Sequence, residues 1–160
     1  MKYFTTDLWL GINEGDFTNH TKAEIQFKKV NDEYWEHYQQ ILCQLPKNFI
    51  AQYNKYNGFH DCKILSISLE GGLSSYVLIK IQINKRVAQL KFKKVDKINI
   101  AVVNKDYCIQ GQLSWGYAEF DLLTDGKISL NILCDIFNEI ELVFETVTFS
   151  FEKGDSMRKT

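Results

Sequence analysis

The sequence predicts an α+β protein whose N-terminal helices pack on a mostly antiparallel sheet of about seven strands. Up to residue 58, apolar residues recur every three or four positions, which is the period of a helix. From Phe59 onward, apolar and polar residues alternate, as they do in half-buried strands. Short turns join these strands, so neighbouring strands must be antiparallel. Because no helical pattern separates them, the helices are free to cover one face of the sheet.

Length and composition favour a single domain. The chain has 160 residues, of which 45% are hydrophobic, and its formal net charge is -1. These values suit one packed core and exclude a disordered chain. We expect one α+β domain over residues 1–152, with a helical part at 1–58 and a sheet part at 59–152. Residues 153–160 are expected to form a flexible tail.

Three helices are expected in the helical part. A short first helix should end at Gly15. Thr21 and Glu24 form a capping-box pattern, in which each side chain bonds a free backbone N–H, and they predict the start of a helix of about 23 residues. Pro46 should stop this second helix, and a third short helix should end before Gly58.

The alternating segments define the strands of the sheet part. We expect strands at 65–69, 77–83, 88–92, 98–102, 115–123, 128–132 and 140–151. Asp125-Gly126 is a strong hairpin signal between the fifth and sixth. In the seventh, the apolar parity shifts between Phe144 and Val147, which predicts a bulge or a bend.

The fifth strand carries the main candidate binding site. One face is expected to present two aromatic and two acidic side chains, namely Trp115, Tyr117, Glu119 and Asp121. Gly116 and Ala118 on the other face are small enough to let a helix approach. Aromatic rings beside carboxylates suit a surface for a protein partner or a small ligand. The alternatives are a solvated face whose acids pair with lysines, or a pair of carboxylates for acid–base chemistry.

His60 and Asp61 form a second candidate site at the start of the sheet part. Adjacent His and Asp side chains can share a proton or a metal ion, or they can simply pack and cap a turn. A catalytic metal site needs at least three ligands, whereas His20 and His37 lie in the helical part. We therefore predict no metal, no cofactor and no assigned catalytic residue.

Charge and segment patterns limit the partners. The chain has only two arginines, Arg86 and Arg158, and arginine is the residue that grips phosphate bidentately, so no nucleic acid is expected as a partner. Basic residues concentrate at 80–97 and acidic residues at 115–152, which predicts cross-strand ion pairs. No apolar run is long enough to span a membrane, and the four cysteines form no C-x-x-C, so we expect no membrane partner and a reducing, cytoplasmic setting. A monomer and a homodimer are both compatible with the sequence.

Two short motifs resemble known families. The start Met1-Lys2-Tyr3-Phe4-Thr5 and the later Phe59-His60-Asp61-Cys62 resemble an uncharacterised bacterial family with the same type of start. The second motif is also similar to the strand opening of several small α+β immunity proteins of bacterial toxin systems. The resemblance implies a cytoplasmic bacterial protein and carries over no catalytic residue. We expect a non-enzymatic binding or protein-interaction module. A hydrolase or metal-dependent enzyme using His60 and Asp61 with strand carboxylates is the alternative.

Overall fold

The computed structural model describes residues 1–13, 17–71, 75–101, 113–134 and 138–152, with residues 17–19 as backbone only. Within these ranges, three α-helices precede six antiparallel strands, which confirms the predicted α+β class. The elements are α1 (Thr6–Asn13), α2 (Phe17–Ile41), α3 (Lys47–Lys55), β1 (Lys63–Glu70), β2 (Tyr76–Ile83), β3 (Arg86–Ala101), β4 (Leu113–Leu122), β5 (Ile128–Cys134) and β6 (Glu139–Phe151). The predicted tail at 153–160 and the predicted helix end at Gly15 lie outside the described residues.

Helix α2 begins one turn earlier than the capping pattern predicts. It starts at Phe17 and runs for 25 residues, so Thr21 and Glu24 lie inside the helix. Helix α1 packs closely against this first part of α2, since a Cβ on Gly11 would come within 2.8 Å of the Ala23 Cβ. This tertiary contact stabilises a helical turn that the local sequence does not demand.

The sheet closes into a barrel with the strand order β1-β2-β3-β6-β5-β4. Two residue pairs between β1 and β4 close it, Lys63 with Ser114 and Ile64 with Leu113. Among the described residues, no strand pairs with β4 on the β1 side beyond Trp115. There the Tyr34 hydroxyl of α2 accepts a hydrogen bond from the Phe120 N–H. Alternation alone predicts a sheet, whereas closure depends on pairing between distant segments.

The predicted third and fourth strands are one strand, so the described sheet has six strands rather than seven. Strand β3 is 16 residues long and pairs with β6 over most of its length. It bends at Lys94, where φ is 51°, and its register with β6 shifts between Val95 and Lys97. Opposite this bend, Phe144 and Val147 are both buried although they lie three positions apart, as the parity shift in the sequence indicates.

The barrel interior holds most of the core, and α3 contributes to it. The Phe49 ring on α3 contacts Phe59, Phe92 and Phe120 at centroid distances of 6.0, 6.4 and 6.1 Å.

Outside the barrel, basic side chains pair with acids of β6 or of the residue after it, as the charge pattern predicts. These pairs are Lys80–Glu152, Lys94–Glu145 and Lys97–Glu141.

Candidate functional site

Strand β4 contains a bulge at Gly116 that changes which side chains share a face. Trp115 pairs with Cys134 and Tyr117 pairs with Leu133, so Gly116 is an extra residue on β4. A Cβ on Gly116 would come within 2.5 Å of the Leu133 carbonyl oxygen. Only glycine leaves room for that approach, because real Cβ atoms are not found so close to a backbone oxygen.

The bulge contradicts the prediction that Trp115 lies on the same face as Tyr117, Glu119 and Asp121. Trp115 is fully buried, and its ring meets the Phe59 ring edge-on at 5.5 Å. It therefore belongs to the core and cannot form part of a surface for a partner. Beyond the bulge, Tyr117, Glu119 and Asp121 do share one face, but the N-terminal segment and α2 lie over that face.

Glu119 is buried and fixes the N-terminal segment. Its carboxylate accepts hydrogen bonds from the backbone N–H groups of Lys2, Tyr3 and Phe4 at 2.8, 2.7 and 2.6 Å. Successive N–H groups that converge on one anion form a nest, and a buried charge requires such partners. With an exposed fraction of only 5%, this side chain has a structural role.

Asp121 pairs with the helical part. Its carboxylate lies 3.1 Å from Nε2 of His37 on α2. The predicted pair of strand carboxylates is thus divided between two different partners. Among the described residues, no hydrogen bond or ion pair joins either carboxylate to His60, whose ion pair is with Asp61.

A cleft opens where α2, the turn that follows α3 and the free edge of β4 meet. Its volume is about 590 Å³. Six aromatic side chains line it: Phe4, Tyr34, Trp35, Tyr38, Tyr53 and Tyr117. Three amides and one imidazole add polar groups: Asn31, Asn54, Asn57 and His60. We call this region, together with Gly58, Gly116 and Ala118, the aromatic cleft. No Lys, Arg, Asp or Glu is among its described lining residues.

His60 reaches the aromatic cleft because the preceding turn is left-handed. Asn57, Gly58 and Phe59 have φ values of 51°, 64° and 60°. A left-handed phenylalanine costs energy, and the complete burial of the Phe59 ring in the core offsets that cost. The turn leaves the His60 ring edge-on to Tyr117 at 5.2 Å, with Nδ1 3.0 Å from the Asp61 carboxylate.

The tyrosines of the aromatic cleft are neutral at physiological pH. Burial raises the pKa of Tyr34 and of Tyr53 well above the usual value. Burial likewise raises the pKa of Tyr38, with the Asn54 side chain opposing the shift. Burial, and then the Asp61 carboxylate, raise the pKa of Tyr117. The cleft therefore offers hydroxyl groups and rings rather than phenolate charges.

Of the six predicted site residues, two line the aromatic cleft, His60 and Tyr117. Asp61 is 82% exposed beside His60. Sequence reasoning missed Trp35, whose side chain is 58% exposed. The available signal is its position in the sequence, because Trp35 directly follows Tyr34 in the helical part and large aromatic residues are common anchors of binding sites.

Among the described residues, no group of three or more His, Cys, Asp or Glu side chains could hold a metal ion. None of the described helices combines the length and apolar character needed to cross a membrane. In comparisons of sequence, no protein-family model and no curated protein matches this chain.

Proposed function

We propose that this protein is a non-enzymatic binding module whose ligand occupies the aromatic cleft. The observation that carries the proposal is a concave site of about 590 Å³ whose walls are aromatic rings with a few amides. Small-molecule sites typically have volumes of about 300–1,000 Å³ and show this combination of apolar walls and few polar groups.

The side chains in the cleft support binding rather than catalysis. His60 has an aspartate partner, but Asp61 is largely in solvent, where water screens the interaction. The strand carboxylates Glu119 and Asp121 are held by the N-terminal segment and by His37. The protonated tyrosines are weak nucleophiles.

Trp35 offers a direct test because it is exposed at the rim of the cleft. Its side chain can be removed with little loss of core packing, although its ring contacts Tyr38 at 5.8 Å. Ile25 is a matched control, since it lies on the same helix, is 68% exposed and does not line the cleft.

The experiment is a screen of uncharged small molecules against the ¹⁵N-labelled protein by NMR. We expect ligands whose shift perturbations concentrate on cleft residues such as Asn54, His60 and Tyr117. Trp35→Ala should raise their Kd about tenfold, as truncation of an aromatic anchor does, while Ile25→Ala leaves Kd unchanged. Equal effects of both substitutions, or perturbations confined to other surfaces, would contradict the proposal.

A further inference from the structure

The free edge of β4 presents an unpaired backbone donor and acceptor to the aromatic cleft. The Phe120 N–H donates to the Tyr34 hydroxyl at 2.8 Å, so it points away from β5. The register from Ala118 to Phe120 is regular, and in antiparallel pairing alternate residues point their N–H and C=O groups to the same side. The N–H and C=O of Ala118 therefore also point away from β5. Ala118 lines the cleft, and no described residue outside the strand ladder bonds to it.

This free stretch is only one residue long. On one side of it, the Trp115 N–H donates to Cys62 and the Trp115 C=O accepts from Asp61, at 2.9 and 2.8 Å. On the other side, the Tyr34 hydroxyl occupies the Phe120 N–H. An added peptide strand pairs with every second residue, at intervals of about 7 Å, so its next pairing positions are already taken. The edge accommodates a single donor–acceptor unit and no extended peptide.

The polar groups that line the cleft together with Ala118 include no Lys, Arg, Asp or Glu. They are tyrosine hydroxyls, the amides of Asn31, Asn54 and Asn57, and the imidazole of His60. A phosphate or carboxylate in this place would lose water without gaining a lysine or arginine partner, which is costly. Trp35, which is 58% exposed, provides a ring face on which a flat ligand can stack.

We infer that the ligand is a small uncharged ring that carries a hydrogen-bond acceptor next to a donor, as a lactam or the amide edge of a pyrimidine-type base does. Its acceptor takes the Ala118 N–H, and its donor bonds the Ala118 C=O. The inference rests on the proposed function, because it requires the aromatic cleft to be the binding site.

The test uses 2-pyridone, whose ring N–H and C=O are adjacent, and N-methyl-2-pyridone, which has nearly the same shape but no donor. Titration of the ¹⁵N-labelled protein follows the amide signals of Ala118 and Phe120. We expect 2-pyridone to shift the Ala118 signal more than the Phe120 signal. Methylation should raise Kd at least about tenfold, because it leaves the Ala118 C=O unpaired. Benzoate and a capped alanine tripeptide, tested alongside, should bind more weakly than 2-pyridone.

The outcomes distinguish a failure of this inference from a failure of the proposed function. If both pyridones perturb the cleft with equal Kd, the donor–acceptor inference is wrong and the binding module stands. If benzoate or the tripeptide binds more tightly than 2-pyridone, the assigned ligand class is wrong. If 2-pyridone leaves Ala118 unchanged up to its solubility limit while other uncharged molecules bind the cleft, the inference alone fails. If no molecule of either set perturbs the cleft, both fail.

Discussion

Removing the Glu119 carboxylate should destabilise the protein far more than removing any exposed acid. Three backbone N–H groups depend on this side chain, and hydrogen bonds to charged groups contribute about 1.5–3 kcal/mol each. Lys2 is exposed and its N–H can return to water, whereas Phe4 is buried. We therefore expect Glu119→Ala to lower the free energy of unfolding by about 3–5 kcal/mol.

Urea denaturation at pH 7, followed by tryptophan fluorescence, measures this loss. With an m-value of about 2 kcal/mol/M, the midpoint should fall by about 1.5–2.5 M. Glu119→Gln keeps one acceptor oxygen and should lose roughly half as much. Glu141→Ala is the control, since Glu141 makes an exposed ion pair with Lys97, and such pairs contribute about 0–1 kcal/mol.

The reasoning is refuted if Glu119→Ala and Glu141→Ala shift the urea midpoint equally. That result would mean that water satisfies the N–H groups of residues 2–4 as well as the carboxylate does. A lower m-value with an unchanged midpoint would instead indicate that the N-terminal segment detaches separately.

Two further predictions concern stability. Gly116→Ala would place a methyl group 2.5 Å from the Leu133 carbonyl oxygen, so the bulge must open. We expect the free energy of unfolding to fall by about 2 kcal/mol and Tm to fall by about 4–8 °C. A Tm within a degree of the parent would contradict this. Burial raises the pKa of Tyr34 and Tyr53, so the folded protein keeps protons that the unfolded chain releases above about pH 10. The contribution of these two tyrosines to the free energy of unfolding should therefore be fully present below that pH and be lost as the pH rises above it. Tyr34→Phe should lower the free energy of unfolding by about 1 kcal/mol at pH 7, because the Phe120 N–H loses its hydrogen bond. It should also make the loss of stability at alkaline pH shallower. Urea unfolding between pH 8 and 11 measures both effects.

The sequence predicted the class of each element because periodicity reports exposure directly, residue by residue. It did not predict the barrel, since closure depends on two pairs between Lys63–Ile64 and Leu113–Ser114, which are distant in the chain. Nor did it locate the bulge at Gly116. A glycine inside a strand is compatible with a close helix contact as well as with a bulge, and the two interpretations place Trp115 on opposite faces.

The candidate site was predictable only in part for a related reason. His60 and Tyr117 stand out by residue type, and both line the aromatic cleft. Glu119 was expected at the surface because carboxylates rarely enter cores without partners. Its partners are main-chain N–H groups, which every residue except proline carries, so no side chain in the sequence reveals them. No sequence pattern indicates the unpaired edge at Ala118 either, because this edge depends on the absence of a described strand next to β4 on that side.

The contact between Phe49 and Phe120 has a consequence for synthesis of the chain. Phe49 also needs Phe92, so the aromatic face of α3 finds its full set of neighbours only after β4 has been made. At about 5–20 residues per second, Phe120 leaves the ribosome on the order of 4–14 s after Phe49. During that interval the nascent chain carries an uncovered aromatic surface. Slower chain elongation should therefore lengthen the exposure and increase the dependence of soluble yield on chaperones that shield apolar segments.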